Sequence, residues 1–262
     1  MTPGYEITLL ILCPLVFLAG FVDSVAGGGG LISIPAYIFA GVPVHNAYAT
    51  NKAAMCLGTG VSVVNYLRGK KVHYRAALAG ALGALPGSAL GTMLAASLSP
   101  TALQICLMII LPGAAGFLIF HRTRRGPEKP ELPPARTFLL SLCIGFAIGA
   151  YDGFFGPGAG MFITLALAGL VRLELVKAAG TTRVINFASN LASMAAWLFA
   201  GKILFALAIP CTVCTMAGNF LGSRLAVKTG AKFIRPLIIA VAALLFIRVL
   251  ADLIRISLVK SG

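Results

Sequence analysis

GFVDSVAGGGGLISIP, residues 20–35, places one carboxylate and four consecutive glycines between two apolar segments. A second stretch, AYDGFFGPGAGMFIT at residues 150–164, repeats the order of acid, glycine run and apolar segment. Glycine lets the backbone turn sharply and lets other groups approach closely. Each stretch therefore predicts a helix that breaks and restarts as a short helix.

The regions around these breaks have the composition of membrane spans. Of the 262 residues, 59% are hydrophobic and 11% are charged, whereas soluble domains carry about 25% charged residues. Ile7–Val22, Ala76–Ile119 and Ile203–Ser223 contain no charge, and a spanning helix needs roughly 20 apolar residues. The first block lacks the basic start of a cleavable signal peptide, so we expect it to remain in the protein. These features predict an all-α polytopic membrane protein.

The apolar pattern predicts eight long helices and two short ones after the glycine runs. The long helices are expected near 7–22, 47–67, 74–96, 101–120, 137–152, 178–200, 203–223 and 233–257, and the short ones near 30–41 and 159–170. If the short helices cross the bilayer, the loops on one face of the membrane carry 15 Lys and Arg residues and those on the other face carry three. If the short helices are re-entrant, the two faces carry 12 and six. Cytoplasmic loops are rich in Lys and Arg, so we favour ten crossing segments.

The chain divides into two similar halves. Residues 1–120 form the first predicted membrane repeat, 121–136 a proline-rich cytoplasmic linker and 137–262 the second repeat. Asp23 corresponds to Asp152 at an offset of 129 residues, and Lys52 to Arg183 at 131. Five segments in each half would make the repeats inverted, which is a common transporter plan.

The basic and sulfur-containing residues do not predict a nucleic-acid, metal or cofactor site. The net charge is +14, but the cations lie in short clusters between apolar blocks, as expected of membrane loops. All six cysteines lie in apolar segments and the three histidines are far apart. We therefore expect no nucleic-acid partner, no metal and no cofactor.

Asp23 and Asp152 are the candidate proton-coupling residues. Each ends an apolar block just before a glycine run, and ionisable groups at membrane depth usually face a cavity or a charged partner. The alternative is structural, because a carboxylate at this position can cap the next short helix.

Three further groups of residues are candidates for binding a small anion. The first is the two glycine runs, whose freed N–H groups can hold an anion at a helix start. The alternative is that these small residues serve only to let helices pack closely. The second is the pair of motifs Thr50-Asn51-Lys52 and Thr181-Thr182-Arg183, whose cations can bind an anion. The alternative is that each cation extends to the membrane interface. The third is a polar stripe on the helix of each motif, formed by Asn51, Gly58, Ser62 and Asn65 in the first half and by Arg183, Asn186, Asn190 and Ser193 in the second. The predicted substrate-binding residues are Gly27, Gly28, Gly29, Gly30, Thr50, Asn51, Lys52, Gly156, Gly158, Gly160, Thr181, Thr182, Arg183, Asn186 and Asn190.

The motif GFVDSVAGGGGLISIP followed by ATNK resembles the first half-motif of the TauE/SafE family of sulfite and organosulfur exporters. The stretch from Asp152 to Arg183 is similar to the second half-motif, although Pro157 and Ala159 interrupt its glycines. The resemblance covers essentially the whole chain. It implies a permease of a bacterial-type plasma (inner) membrane for small anions such as sulfite, sulfoacetate and related sulfonates or carboxylates.

Taken together, the sequence favours a secondary transporter of a small anion, coupled to protons, over an enzyme. Two alternatives stay open. Two membrane carboxylates are also typical of an intramembrane aspartyl protease, and a membrane scaffold would need no transport site. The sequence leaves the oligomeric state open, with a homodimer as one alternative.

Overall fold

The structure, a computed structural model, describes residues 3–103, 132–234, 236–237 and 240. Every regular element named in this part of the chain is an α-helix, so the all-α prediction is confirmed there. Most of the predicted helices near 101–120 and 233–257, and most of the linker 121–136, lie outside the described residues. The helices are α1 (Pro3–Ala26), α2 (Gly30–Phe39), α3 (Val44–Arg68), α4 (Tyr74–Ser97), α5 (Pro134–Phe154), α6 (Ala159–Gly169), α7 (Leu175–Phe199) and α8 (Phe205–Thr229).

Four of the six long helices, α1, α4, α5 and α8, are long and apolar enough to cross a membrane. The prediction of eight long spanning helices is therefore not confirmed over the described residues. The helices α3 and α7 are equally long, at 25 residues each, but they carry the two cation motifs and several buried amides. Polar side chains on a membrane helix face the protein interior, which explains why these two helices are less apolar.

The short helices follow the two breaks as predicted. Helix α2 has 10 residues and α6 has 11, which gives each a length of about 15–17 Å. This is well below the ~30 Å hydrocarbon core of a bilayer. Both described halves show the order long, short, long, long, in agreement with the predicted repeat, which stays a prediction.

Helices from different halves form the closest pairs. Helix α4 packs along α5 and α1 packs along α8, while α3 contacts both α7 and α8. On α4 the glycines face the α5 backbone so closely that a Cβ on Gly91 would lie 2.0 Å from the Ala150 oxygen. Small residues allow this approach between membrane helices. The pairing holds the C-terminal end of α5 against the first half.

The helices before the breaks are longer than the sequence predicted. Helix α1 continues to Ala26 rather than residue 22, and α5 to Phe154 rather than residue 152. Asp23 and Asp152 consequently lie inside the last turn of their helices. Apolar residues such as Val25 continue the buried face beyond the acid, so α1 extends up to the residue before its glycine run.

Candidate functional site

A cavity of about 30 Å³ lies where the two helix breaks meet. Side chains from α1, α3, α5 and α7 and backbone from both glycine runs form its walls. The residues that line it are Asp23, Gly27, Gly30, Asn51, Lys52, Met55, Asp152, Gly156, Gly160, Asn186 and Asn190. The structure thus brings together at one place ten of the residues that the sequence singled out.

The two breaks contact each other through their backbones. The Met161 N–H donates a hydrogen bond to the Gly27 carbonyl at 3.3 Å, and a Cβ on Gly27 would lie 2.3 Å from the Gly160 carbonyl carbon. Gly27 also has a φ of 80°, which is strained for other residues. Close packing thus accounts for Gly27 and Gly160. Gly156, by contrast, faces Lys52 across the cavity, and a Cβ on Gly156 would lie 3.8 Å from Lys52 Cε.

Lys52 forms the first of two buried ion pairs. Its Nζ lies 2.8 Å from Asp152 Oδ2 and donates to Asn190 Oδ1 at 3.2 Å. The Ser189 hydroxyl donates to the same Asp152 oxygen. Asn190 is oriented in turn, since its Nδ2 donates to Thr59 Oγ1 at 3.2 Å. Lys52 is 3% exposed, and it lines the cavity.

Arg183 forms the second pair, and its surroundings are different. Its Nη1 donates to the Asp23 backbone carbonyl at 2.6 Å and to Asp23 Oδ2 at 3.0 Å. Arg183 is 1% exposed and is absent from the described cavity lining. Asp23 Oδ1 also accepts a hydrogen bond at 3.3 Å from the N–H of Gly29, the residue directly before α2. Arg183 and Asp23 together fix the backbone at the end of α1.

The two pairs cross between the halves. The cation of each half pairs with the carboxylate of the other, and together the four side chains carry no net charge. Removing either member of such a pair leaves an uncompensated buried charge, which is strongly unfavourable. An anion that enters the cavity must therefore be balanced by another charge.

Two amides in the cavity wall have unpartnered oxygens. Asn51 Oδ1 and Asn186 Oδ1 are buried and accept no hydrogen bond within the described residues, and the residues are 5% and 4% exposed. A buried polar atom without a partner is costly. The oxygen and nitrogen of an amide are exchangeable by rotation, so each amide can either accept from a ligand or donate to it.

The other predicted residues lie outside the cavity lining and have structural contacts. Thr50 Oγ1 accepts from the Leu204 N–H at 3.1 Å, and Thr181 Oγ1 accepts from the His73 N–H at 3.0 Å. Thr182 donates to the Ala178 carbonyl within α7. The hydroxyl groups of both motifs thus tie α3 and α7 to the starts of neighbouring helices or to their own backbone. Gly28, Gly29 and Gly158 belong to the breaks but do not line the cavity.

The predicted polar stripes divide between two roles. Asn186 and Asn190 face the cavity, whereas Ser193 bonds the hydroxyls of Ser88 and Thr92 on α4. On α3, Ser62 donates to Asn219 of α8 at 2.7 Å.

Three further residues belong to the site and were not predicted from the sequence: Met55, Thr59 and Ser189. Met55 and Ser189 each lie three residues after a predicted site residue on the same helix, and Thr59 lies seven residues after Lys52. Residues at these spacings share one face of a helix. Helical period was therefore the signal that could have found them.

The family model for the sulfite exporter TauE/SafE matches residues 12–249. The chain belongs to the sulfite exporter TauE/SafE family. It is 35% identical to "Probable membrane transporter protein ORF9" of a Sinorhizobium species, with 93% of each chain covered. It is 34% identical to "Probable membrane transporter protein YfcA" of Escherichia coli K12, over 95% of this chain and 93% of that protein. It is 31% identical to a "Probable membrane transporter protein" of Haemophilus influenzae, over 96% of this chain and 98% of that protein. No solved structure shows a significant match.

Membership of the TauE/SafE family confirms the predicted resemblance and establishes a multi-pass membrane transporter rather than an enzyme. The relatives cited above are all named probable membrane transporter proteins, and each matches this chain over nearly its whole length. The protease alternative also fails on the geometry of this site. Each carboxylate pairs with a cation, whereas an aspartyl protease needs two carboxylates that share a proton.

Proposed function

We propose that this TauE/SafE transporter moves a small oxyanion, such as sulfite or a sulfonate like sulfoacetate, through the cavity at the two breaks. The observation that carries the proposal is that Lys52 lines a buried cavity together with Asn51 and Asn186, whose amide oxygens have no partner within the described residues. A cation and two adaptable amides can together contact several oxygens of one anion.

The size of the cavity supports a small substrate. One water needs roughly 10–15 Å³ of such space, so a cavity of about 30 Å³ holds only a few non-hydrogen atoms in this conformation. A compact oxyanion meets this limit with little rearrangement. Larger substrates would require the breaks to separate.

Lys52, rather than Arg183, is the cation that binds the substrate. Lys52 lines the cavity, while the Arg183 guanidinium group lies outside the lining and donates to the Asp23 carbonyl and carboxylate. Lysine is a compact charge on a flexible stem, so it can exchange one partner for another with a small movement.

Charge balance supports proton coupling at Asp152. In the resting cavity the Lys52–Asp152 pair is neutral. When Asp152 takes a proton, Lys52 loses its counterion and becomes free to bind a monovalent anion, and the buried site stays neutral. Proton and anion would then cross together, because binding either alone leaves a net charge away from water.

The test is uptake into proteoliposomes that contain the purified chain. Radiolabelled sulfite or sulfoacetate should accumulate when a pH gradient is imposed, and it should not accumulate in liposomes without protein. A folded, reconstituted chain that moves neither anion under any gradient would refute the proposed substrate class.

A further inference from the structure

A groove that shares no lining residue with the cavity lies between the C-terminal parts of α3 and α8. It has a volume of about 440 Å³ and is lined by Asn65, Arg68, Gly69, Phe220, Arg224 and Val227. We propose that this groove binds the headgroup of an anionic phospholipid. The charge, the fixed walls and the exposed apolar surroundings each support this site.

The two arginines of the groove have no carboxylate partner in the part of the chain that the structure describes. There, the ion pairs join Lys52 to Asp152 and Arg183 to Asp23. Arg68 is the last residue of α3, and both arginines are exposed. Arginine binds phosphate with a planar pair of donors. The groove therefore has cationic ligands whose counterion must come from outside these residues.

The walls of the groove are held in place by direct contacts between α3 and α8. The Asn65 Nδ2 donates to the Phe220 carbonyl at 3.2 Å and to Ser223 Oγ at 2.8 Å. The Arg224 guanidinium carbon lies 5.8 Å from the centre of the Phe220 ring, which is within the range of a cation–π contact. A Cβ on Gly69 would lie 2.5 Å from Val227 Cγ1. The site is therefore a shaped pocket with one arginine already positioned.

The surface beside the groove suits the rest of a lipid molecule. Leu221 and Leu225 are 49% and 38% exposed on the same turns of α8, and exposed leucines on a membrane helix face acyl chains. Basic pockets between membrane helices bind anionic headgroups. The offset of 131 residues between the predicted repeats makes Arg68 correspond to Phe199, and Arg224 to Met93. The equivalent place in the other half thus carries no charge, so the helix packing itself does not require these cations.

The experiment measures lipid retention by the full chain in native mass spectrometry, with phosphatidylglycerol compared against phosphatidylcholine. The variants are Arg68→Gln, Arg224→Gln and the double variant, and the control is Arg75→Gln, since Arg75 is an exposed cation outside the groove. An arginine near the membrane surface contributes about fivefold to anionic lipid affinity. We therefore expect roughly 25-fold weaker phosphatidylglycerol binding in the double variant and unchanged binding in the control.

Three outcomes would overturn the proposal. The first is an equal loss in the Arg75→Gln control, which would mean attraction to net charge alone. The second is competition by millimolar inorganic phosphate as strong as by phosphatidylglycerol, which would indicate a free-anion site. The third is an altered oligomeric state of the double variant with normal lipid retention, which would place a second copy of the chain in the groove.

Discussion

Lys52 of α3 and Asp152 of α5 form a buried ion pair of 2.8 Å, although they belong to different predicted repeats. Asp23 of α1 and Arg183 of α7 form the reciprocal pair at 3.0 Å. The two pairs join the halves at the cavity, so a change at either one affects both stability and transport. The variants below separate these effects.

Replacing Lys52 by Met should weaken anion binding and destabilise the fold. A hydrogen bond to a charged group contributes about 1.5–3 kcal/mol, so affinity for sulfite should fall roughly 10- to 150-fold. Breaking a buried pair costs about 3–5 kcal/mol. The double variant Lys52→Met with Asp152→Asn removes both charges and should recover most of the stability without recovering binding. Thermal unfolding and radioligand binding measure the two effects, and a double variant with normal affinity would contradict the assignment.

Replacing Arg183 by Met should act mainly on stability. Its Nη1 binds both the carbonyl and the carboxylate of Asp23, so we expect a loss of about 3–5 kcal/mol in the free energy of unfolding. Arg183→Lys should recover only part of it, because lysine lacks the planar donor group. The folded fraction of the variant should still bind anion. Normal stability together with lost binding would instead make Arg183 a substrate ligand.

The two aspartates should differ in proton coupling. Asp152→Asn should lower stability, because Lys52 then lacks its buried counterion, and it should abolish accumulation driven by a pH gradient. The folded protein should keep counterflow exchange active, because exchange needs no net proton movement. Asp23→Asn should reduce stability and leave gradient-driven accumulation in place. Both assays are run in the same proteoliposomes. Accumulation that persists in Asp152→Asn and stops in Asp23→Asn would reverse the two roles.

Gly27→Ala tests the contact between the breaks. A left-handed φ costs alanine about 1 kcal/mol, and overpacking against Gly160 adds roughly 1–3 kcal/mol. Gly41 has the same φ of 80°, but a Cβ at that position would have no atom within 4 Å, so Gly41→Ala isolates the backbone strain. We expect Gly27→Ala to lower the unfolding temperature and the transport rate more than Gly41→Ala. Equal effects would mean that the breaks separate freely.

Single cysteines test the predicted topology, in a chain whose six native cysteines are replaced by serine. Thr123→Cys lies in the linker and should resist an impermeant thiol reagent added to intact cells, because both arrangements place the linker in the cytoplasm. Lys202→Cys distinguishes the arrangements. Ten crossing segments place it outside, where it should label readily, whereas eight place it inside. Protection of Lys202→Cys would favour re-entrant short helices.

The candidate site was predictable in composition but not in arrangement. The acid before each glycine run and the cation in each following motif were found as unusual residues in apolar sequence. The stripes of α3 and α7 were found by helical period, yet several of their members bond neighbouring helices such as α8 rather than the cavity. Period shows which residues share a face, but the element opposite that face depends on packing.

The sequence by itself determined the membrane class, the family, the two breaks and the short helices after them. These follow from local composition, since a charge-free block of sufficient length must be a helix in a bilayer and a glycine run interrupts it. Only the tertiary structure decided that each carboxylate pairs with the cation of the other half, and that Lys52 lines the cavity while Arg183 does not. Those partners are distant in the chain, and the packing of α1, α3, α5 and α7 brings them within hydrogen-bonding distance.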